Sequence, residues 1–342
     1  MTVFPWKSLD SCNRRAALVG TGAAFSAAAA FAAWDRWGRA PAPVFLARNQ
    51  RYDGSLVQTI RDGLRHVGFL PEHFANKRVL LKPNLVEPSR DVPHMTTHPA
   101  VVVAVAEVLR QWGAAVVVGE APGHVRDTEM AVVESGLMES LDQAELKFAD
   151  LNYEDVTWVK NRGKMSRLSG FWFPNTVAQA DYVVSLPKLK THHWVGMTAS
   201  LKNMYGTLPG IKYGWPKNVL HHAGIHETVI DINRSLPPAL AIVDGIVCME
   251  GDGPIMGTAK PLGLIGVGAN LAALDATLAR VIGLEPSRIR YLRDAGGRIG
   301  PIHEQGIAQR GESWRTLATP FHLVDFPHIQ NLRRRETAVD LT

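Results

Sequence analysis

Between Ser185 and Gly210 the chain brings Lys188, Lys190, His192, His193, Lys202 and Asn203 into one short stretch. Ammonium groups hold carboxylates and phosphates, and a lysine among other charged groups can serve as a base or a nucleophile. Histidine titrates near neutral pH and carries protons. The expected chemistry is capture of a small anion with proton transfer at it. Three more clusters share the pattern of polar groups following an apolar run: Lys82-Pro-Asn84, Gly119-Glu120, and Asp244 through Glu250-Gly-Asp252. From these we take Lys82, Lys190, His192 and His193 as candidate catalytic residues. Asn84, Lys188, Lys202 and Asn203 are candidate anion ligands. Glu120, Asp244, Glu250 and Asp252 are candidate ligands for a divalent metal, or carboxylates that position the lysines. His221, His222 and His226 add nitrogen donors, but their spacing matches no standard zinc motif. Gly206-Thr-Leu-Pro-Gly210 and Gly266-Val-Gly268 fit neither a Walker loop nor the dinucleotide fingerprint, so these residues imply no nucleotide.

The elements that must position these groups alternate. Strands are expected at Val44–Arg48, Arg78–Lys82, Ala114–Gly119, Tyr182–Leu186, Ala239–Val243 and Leu262–Val267. Helices are expected at Ser55–Val67, Ala100–Trp112, Thr128–Leu137, His226–Leu236 and Asn270–Ile282. This alternation predicts an α/β fold: a mostly parallel sheet with helices on both faces. Residues 146–175 form an irregular β-containing insertion, and the 185–210 stretch reads as loop. In a parallel sheet the carboxyl ends of the strands share one edge, so the four polar clusters should converge there. After Pro286 periodicity fades into a polar, Gly-rich tail. The expected organisation is 1–40, 41–285 as the α/β domain, and 286–342 as a C-terminal extension.

Composition narrows the class. The 342 residues carry a formal charge of +5 with 46% hydrophobic and 20% charged residues, an ordinary globular balance. Five basic and two acidic residues fall in the first 40, so residues 41–342 hold only +2 and no nucleic-acid partner is expected. Arg333-Arg334-Arg335 reads as a solvated tail. The two cysteines, Cys12 and Cys248, exclude by count a disulfide framework and a cysteine-ligated iron–sulfur cluster. Cys248, in an apolar run, reads as an inert core thiol. Near the start, Arg14-Arg15 precedes an uncharged, Ala-rich stretch over 16–33. That is the pattern of a twin-arginine export signal, with the export machinery as partner and a location in the periplasm or on the outer face of the cytoplasmic membrane. The alternative is membrane association through residues 16–33, a length at the lower limit for spanning.

Lys82-Pro-Asn84, Thr97-His98-Pro99, Gly119-Glu120, Pro187-Lys-Leu-Lys-Thr-His192, Ser200-Leu-Lys-Asn-Met-Tyr-Gly206, Asp244-Gly-Ile-Val and Met249-Glu-Gly-Asp-Gly-Pro254 with Asp275 resemble, in order, the domain-of-unknown-function family 362 over about residues 44–285. Many members add a ferredoxin-like cysteine module, whose cysteines this chain lacks. A remoter similarity is to the lactate racemase family, whose members bind a nickel-pincer nucleotide. It rests on Ser200–Gly210 followed by His221-His222, and the chain departs from that family at Leu201 and Asn203, where glycine would help the backbone approach a cofactor. The expected function is an exported α/β enzyme binding a small anionic substrate or cofactor, for isomerisation, elimination or a redox step. Two alternatives stay open. One is a non-catalytic periplasmic ligand or cofactor binder. The other is an accessory of a membrane complex, docking through Trp314–Arg335.

Overall fold

The computed structural model describes residues 40–87 and 90–334. The export signal read at Arg14-Arg15 and residues 16–33 lies outside them. The unit beginning at Ala42 is built on a ten-stranded sheet. Its strands are β1 (Ala42–Ala47), β2 (Arg78–Pro83), β3 (Ala115–Glu120), β4 (Phe148–Asp150), β7 (Tyr182–Leu186), β8 (Lys188–His192), β9 (Gly196–Thr198), β10 (Ala239–Glu250), β11 (Thr258–Gly268) and β12 (Ile307–Gly311); β5 (Val156–Lys160) and β6 (Gly170–Pro174) form a separate antiparallel hairpin. The main order is β12-β1-β11-β10-β7-β2-β3-β4, with β8 beside β10 and β9 beside β8. Only β11 and β9 run against the rest. The fold is the mostly parallel α/β sheet expected from the strand–helix alternation.

Strand composition explains the layering. Val79-Leu80-Leu81 is an unbroken apolar run because both faces of a parallel strand are covered. Leu80 packs into one core with the helices Ile225–Ser235 and Leu271–Val281, while Val79 and Leu81 pack into the other with Leu56–His66 and Pro99–Gln111. Asn270 caps Leu271–Val281 as expected, its side chain accepting from Ala273 N at 3.0 Å. The helix expected over Thr128–Leu137 breaks instead into Thr128–Glu134 and Leu137–Gln143, because Gly136 turns left-handed at φ 72°.

Three further expectations are corrected. The stretch read as loop contains β8 and the β8–β9 hairpin; its lysines and threonine are buried, so polar side chains concealed a strand. The strand expected to stop at Val243 continues to Glu250. Asp244-Gly245 forms an irregularity within the strand rather than a turn. Residues 287–334 pack into the domain: β12 lies parallel to β1 at the sheet edge, and Tyr291, Trp314, Phe321 and Ile329 are buried. Trp314 therefore offers no exposed docking face.

Candidate functional site

The carboxyl ends of β2, β3 and β8 open onto one cavity of about 340 Å³. Its wall holds Lys82, Lys190, Lys202 and Lys217, the imidazoles of His192, His193 and His221, and the carboxylates of Glu120 and Asp252. Asn84 and Asn203 also line it, so nine of the twelve residues chosen from sequence converge here: Lys82, Asn84, Glu120, Lys190, His192, His193, Lys202, Asn203 and Asp252. The mouth is apolar. Trp194, at the β8–β9 turn, is 59% exposed, and Met256, in the loop after β10, is 77% exposed.

At the floor, Lys82 Nζ pairs with Glu120 Oε2 and donates to Asn203 Oδ1 at 3.0 Å. Burial pushes the Glu120 carboxyl up and the Lys82 ammonium down, and each group pulls the other back toward its charged form. Asn203 Nδ2 donates to Lys82 O and Ser185 Oγ, so its side chain is fully engaged in holding this pair. Gly206 is required beside them, because a Cβ there would overlap Glu120 Oε1. Asn84 Oδ1 is buried with no hydrogen-bond partner among the described residues.

The other lysines differ in what neutralises them. Lys190 is 0% exposed, and among the described residues its Nζ donates only to the carbonyls of Met95 (2.8 Å) and Pro254 (3.2 Å). Burial first, then the neighbouring Lys188, Lys202 and Lys82, hold its pKa well below the lysine range. Lys202 has no hydrogen bond or ion pair among the described residues; its Nζ lies 4.4 Å from the Tyr205 ring centroid. Burial and Lys82 lower it to about 8. Lys217, which sequence reasoning missed, donates to Asn152 Oδ1 at 3.2 Å and to Leu208 O; burial lowers it to about 7. Its position after Trp215-Pro216 in a loop far from any strand end left no signal in the sequence.

Lys188 and Asp244 do not reach the cavity. Lys188 Nζ lies 2.6 Å from Asp244 Oδ2 and donates to Tyr52 Oη at 3.0 Å. Asp244 also accepts from His98 N, Ile246 N and Tyr52 Oη. This buried node ties β8 to β10 and leaves Lys188 outside the cavity wall. Glu250 accepts from His322 N at 2.9 Å and faces Lys260 at 3.4 Å, also away from the cavity. The proposed metal set Glu120, Asp244, Glu250 and Asp252 is therefore not assembled: each carboxylate is engaged by a different group. Among the described residues no three His, Cys, Asp or Glu side chains are grouped to hold an ion.

The Ser200–Asn203 turn gives a comparable answer for a nucleotide. Its leading amides, Ser200 N and Leu201 N, donate to Asp275 at 2.8 and 3.0 Å, and Leu201 is buried in the core. No amide cradle remains there for a phosphate, so these residues do not fit the pincer nucleotide. Burial raises Asp275 to about 7. Cys248 is buried, and burial pushes its thiol well up, as expected of an inert core cysteine.

A thylakoid-associated protein of Synechocystis is 31% identical to this chain over 254 residues, covering 72% of this chain and 76% of that protein. Among solved structures, the lactate racemase apoprotein of Thermoanaerobacterium thermosaccharolyticum aligns with a TM-score of 0.43 at 12% identity. That alignment covers 70% of this chain and 56% of the racemase, so the chain spans little more than half the racemase's length. Residues 79–280, which contain all of β2 but Arg78, all of β3, β7, β8 and β10, and every candidate site residue, match the family described as Domain of unknown function (DUF362), and the chain belongs to that family.

Proposed function

We propose that the cavity binds a small organic anion and that the protein is an enzyme acting on it by acid–base chemistry. One observation carries the reading. Four lysines line a single cavity, and three of them, Lys190, Lys202 and Lys217, form no ion pair with a carboxylate among the described residues. Keeping unpaired ammonium groups out of water is costly, and an anionic ligand offsets that cost. A volume of about 340 Å³ suits a small molecule. The lysine-bearing floor would take the charged end and the Trp194–Met256 mouth the apolar remainder.

Calorimetric titration with oxalate, pyruvate and inorganic phosphate tests this. Wild-type protein should bind at least one of them. Lys202→Met should weaken that binding roughly tenfold or more, the worth of a charge-assisted hydrogen bond, and Lys190→Met should abolish it. Unchanged affinity in both folded variants would overturn the assignment. A natural ligand recovered unchanged after prolonged incubation would place the chain among binders instead.

Location is part of the same reading. Arg14-Arg15 and the uncharged 16–33 stretch support export by the twin-arginine route, and the Synechocystis relative is named for its association with thylakoids. No helix among the described residues is long and apolar enough to cross a membrane.

A further inference from the structure

We infer that His193, oriented by Asp252, is the proton acceptor of this cavity, that His192 beside it is a neutral hydrogen-bond donor, and that the substrate class is 2-oxo carboxylates. The inference rests on the anion-binding reading and assigns it a reaction.

The two histidines are adjacent in sequence, and both line the cavity, with ring centroids 5.3 Å apart. Their hydrogen bonds give them opposite tautomers. Trp194 N donates to His192 Nδ1 at 3.1 Å, so that nitrogen carries the lone pair and the proton sits on Nε2. Burial and the Lys202 charge keep this ring uncharged. His192 therefore presents one N–H donor and has no basic nitrogen to spare. In His193, Nδ1 lies 2.9 Å from Asp252 Oδ1. An ionised carboxylate only accepts, so Nδ1 carries a proton, and in the neutral ring Nε2 carries the lone pair. The Asp252 loop is held against β8 because His193 N donates to Gly253 O at 3.0 Å. Gly253 is needed for that approach, since a Cβ there would overlap Thr191 O.

An oriented base, a neutral N–H donor and the uncommitted Lys202 ammonium match one elementary step. The C–H proton next to a ketone passes to His193 Nε2. The C–H electron pair becomes the carbon–carbon double bond of the enolate. The carbonyl π pair moves onto oxygen, where Lys202 and the His192 Nε2–H hold the developing charge. Return of a proton from His193 to the same carbon regenerates the ketone with its C–H proton exchanged, and no other reactant is consumed. The substrate's carboxylate supplies the anion, and its 2-oxo group supplies both the acidified C–H and the oxygen to be stabilised.

The test uses the full chain with pyruvate in deuterium oxide. Proton NMR follows loss of the methyl signal, and calorimetry follows binding. Wild-type protein should bind pyruvate and exchange its methyl protons faster than buffer does. His193→Gln should keep pyruvate affinity within about threefold while losing exchange by about a hundredfold or more. Asp252 acts through His193 as a positioning residue. Asp252→Asn should slow exchange and change the imidazole ¹⁵N pattern of His193 from a predominant Nδ1–H form, with the His192 pattern unmoved. Pyruvate bound without exchange would overturn this inference and leave the anion site standing. Binding of oxalate or phosphate but not pyruvate would overturn the substrate class. A substrate-independent check is diethyl pyrocarbonate, which acylates a bare imidazole nitrogen. Label on His193 and not His192 is expected, and the reverse would overturn the assignment of roles.

Discussion

In the anion site we propose, Lys202 is the central group, and its proton is held weakly. Burial and the nearby Lys82 charge bring it down to about 8, and burial brings Lys217 to about 7. Both are cations whose charge disfavours the empty cavity, so both favour a bound anion only while protonated. Affinity for an anion with constant charge should fall as Lys217 and then Lys202 deprotonate, by up to about tenfold per pH unit for each titrating group above its pKa, and Lys190, held well below the lysine range, adds to the gain as pH drops. Titration of oxalate binding between about pH 6 and about pH 9 checks this. In Lys202→Met the inflection near 8 should vanish while the one near 7 persists. A flat profile in the wild type would mean that neither lysine meets the ligand.

The strands carry the site on two buried Lys–carboxylate contacts. Lys82 of β2 meets Glu120 of β3, and Lys188 of β8 meets Asp244 of β10. Neither pair needs to exceed a hydrophobic contact in strength to matter, because removing one partner strands a charge in a dry interior, a cost of about 3–5 kcal/mol. Glu120→Gln and Asp244→Asn should each lower stability by that order in urea unfolding. Glu250→Gln should cost less, about 1 kcal/mol or below, since Lys260 and Glu250 keep contact with solvent. Equal effects at all three positions would argue against the pairs as internal fastenings. The same logic explains why β8 escaped a reading based on apolar pattern. Its Lys-Leu-Lys-Thr-His residues are all buried, with the lysine heads satisfied by carbonyls or a carboxylate.

Across the described chain, residues 286–334 belong to the fold. β12 extends the sheet past β1, and Trp314, Phe321 and Ile329 enter the core that carries the helix Leu271–Val281. The export signal we propose at Arg14-Arg15 lies outside the described residues and is tested separately. Arg14→Lys combined with Arg15→Lys should retain the protein in the cytoplasm, read by cell fractionation, while oxalate affinity of the purified variant stays at the wild-type value. Export of the doubly substituted chain at the wild-type level would remove the twin-arginine reading.

How much was legible follows from which interactions are local. Apolar runs such as Val79-Leu80-Leu81 and Tyr182–Leu186, and the Asn270 cap, declare strands and a helix from neighbouring residues alone, so the α/β class and the parallel sheet were readable. From that topology the convergence of Lys82, Glu120, Lys190 and His192–His193 at one edge also followed, because parallel strands must end together. Which charge meets which was not readable. Lys188 and Lys190 sit two residues apart in β8 and look alike in sequence. Yet Lys188 is neutralised by Asp244, 56 residues away, whereas Lys190 is left with two carbonyls. The contrast between His192 and His193 has the same origin, since one ring takes its partner from a turn amide and the other from a loop after β10. The amino-acid order alone determined the layers, the edge where the chemistry gathers and the excess of lysine there. Only the tertiary structure decided the division of those groups into fastenings and working residues, because partner choice depends on long-range packing and on which charges lose their water.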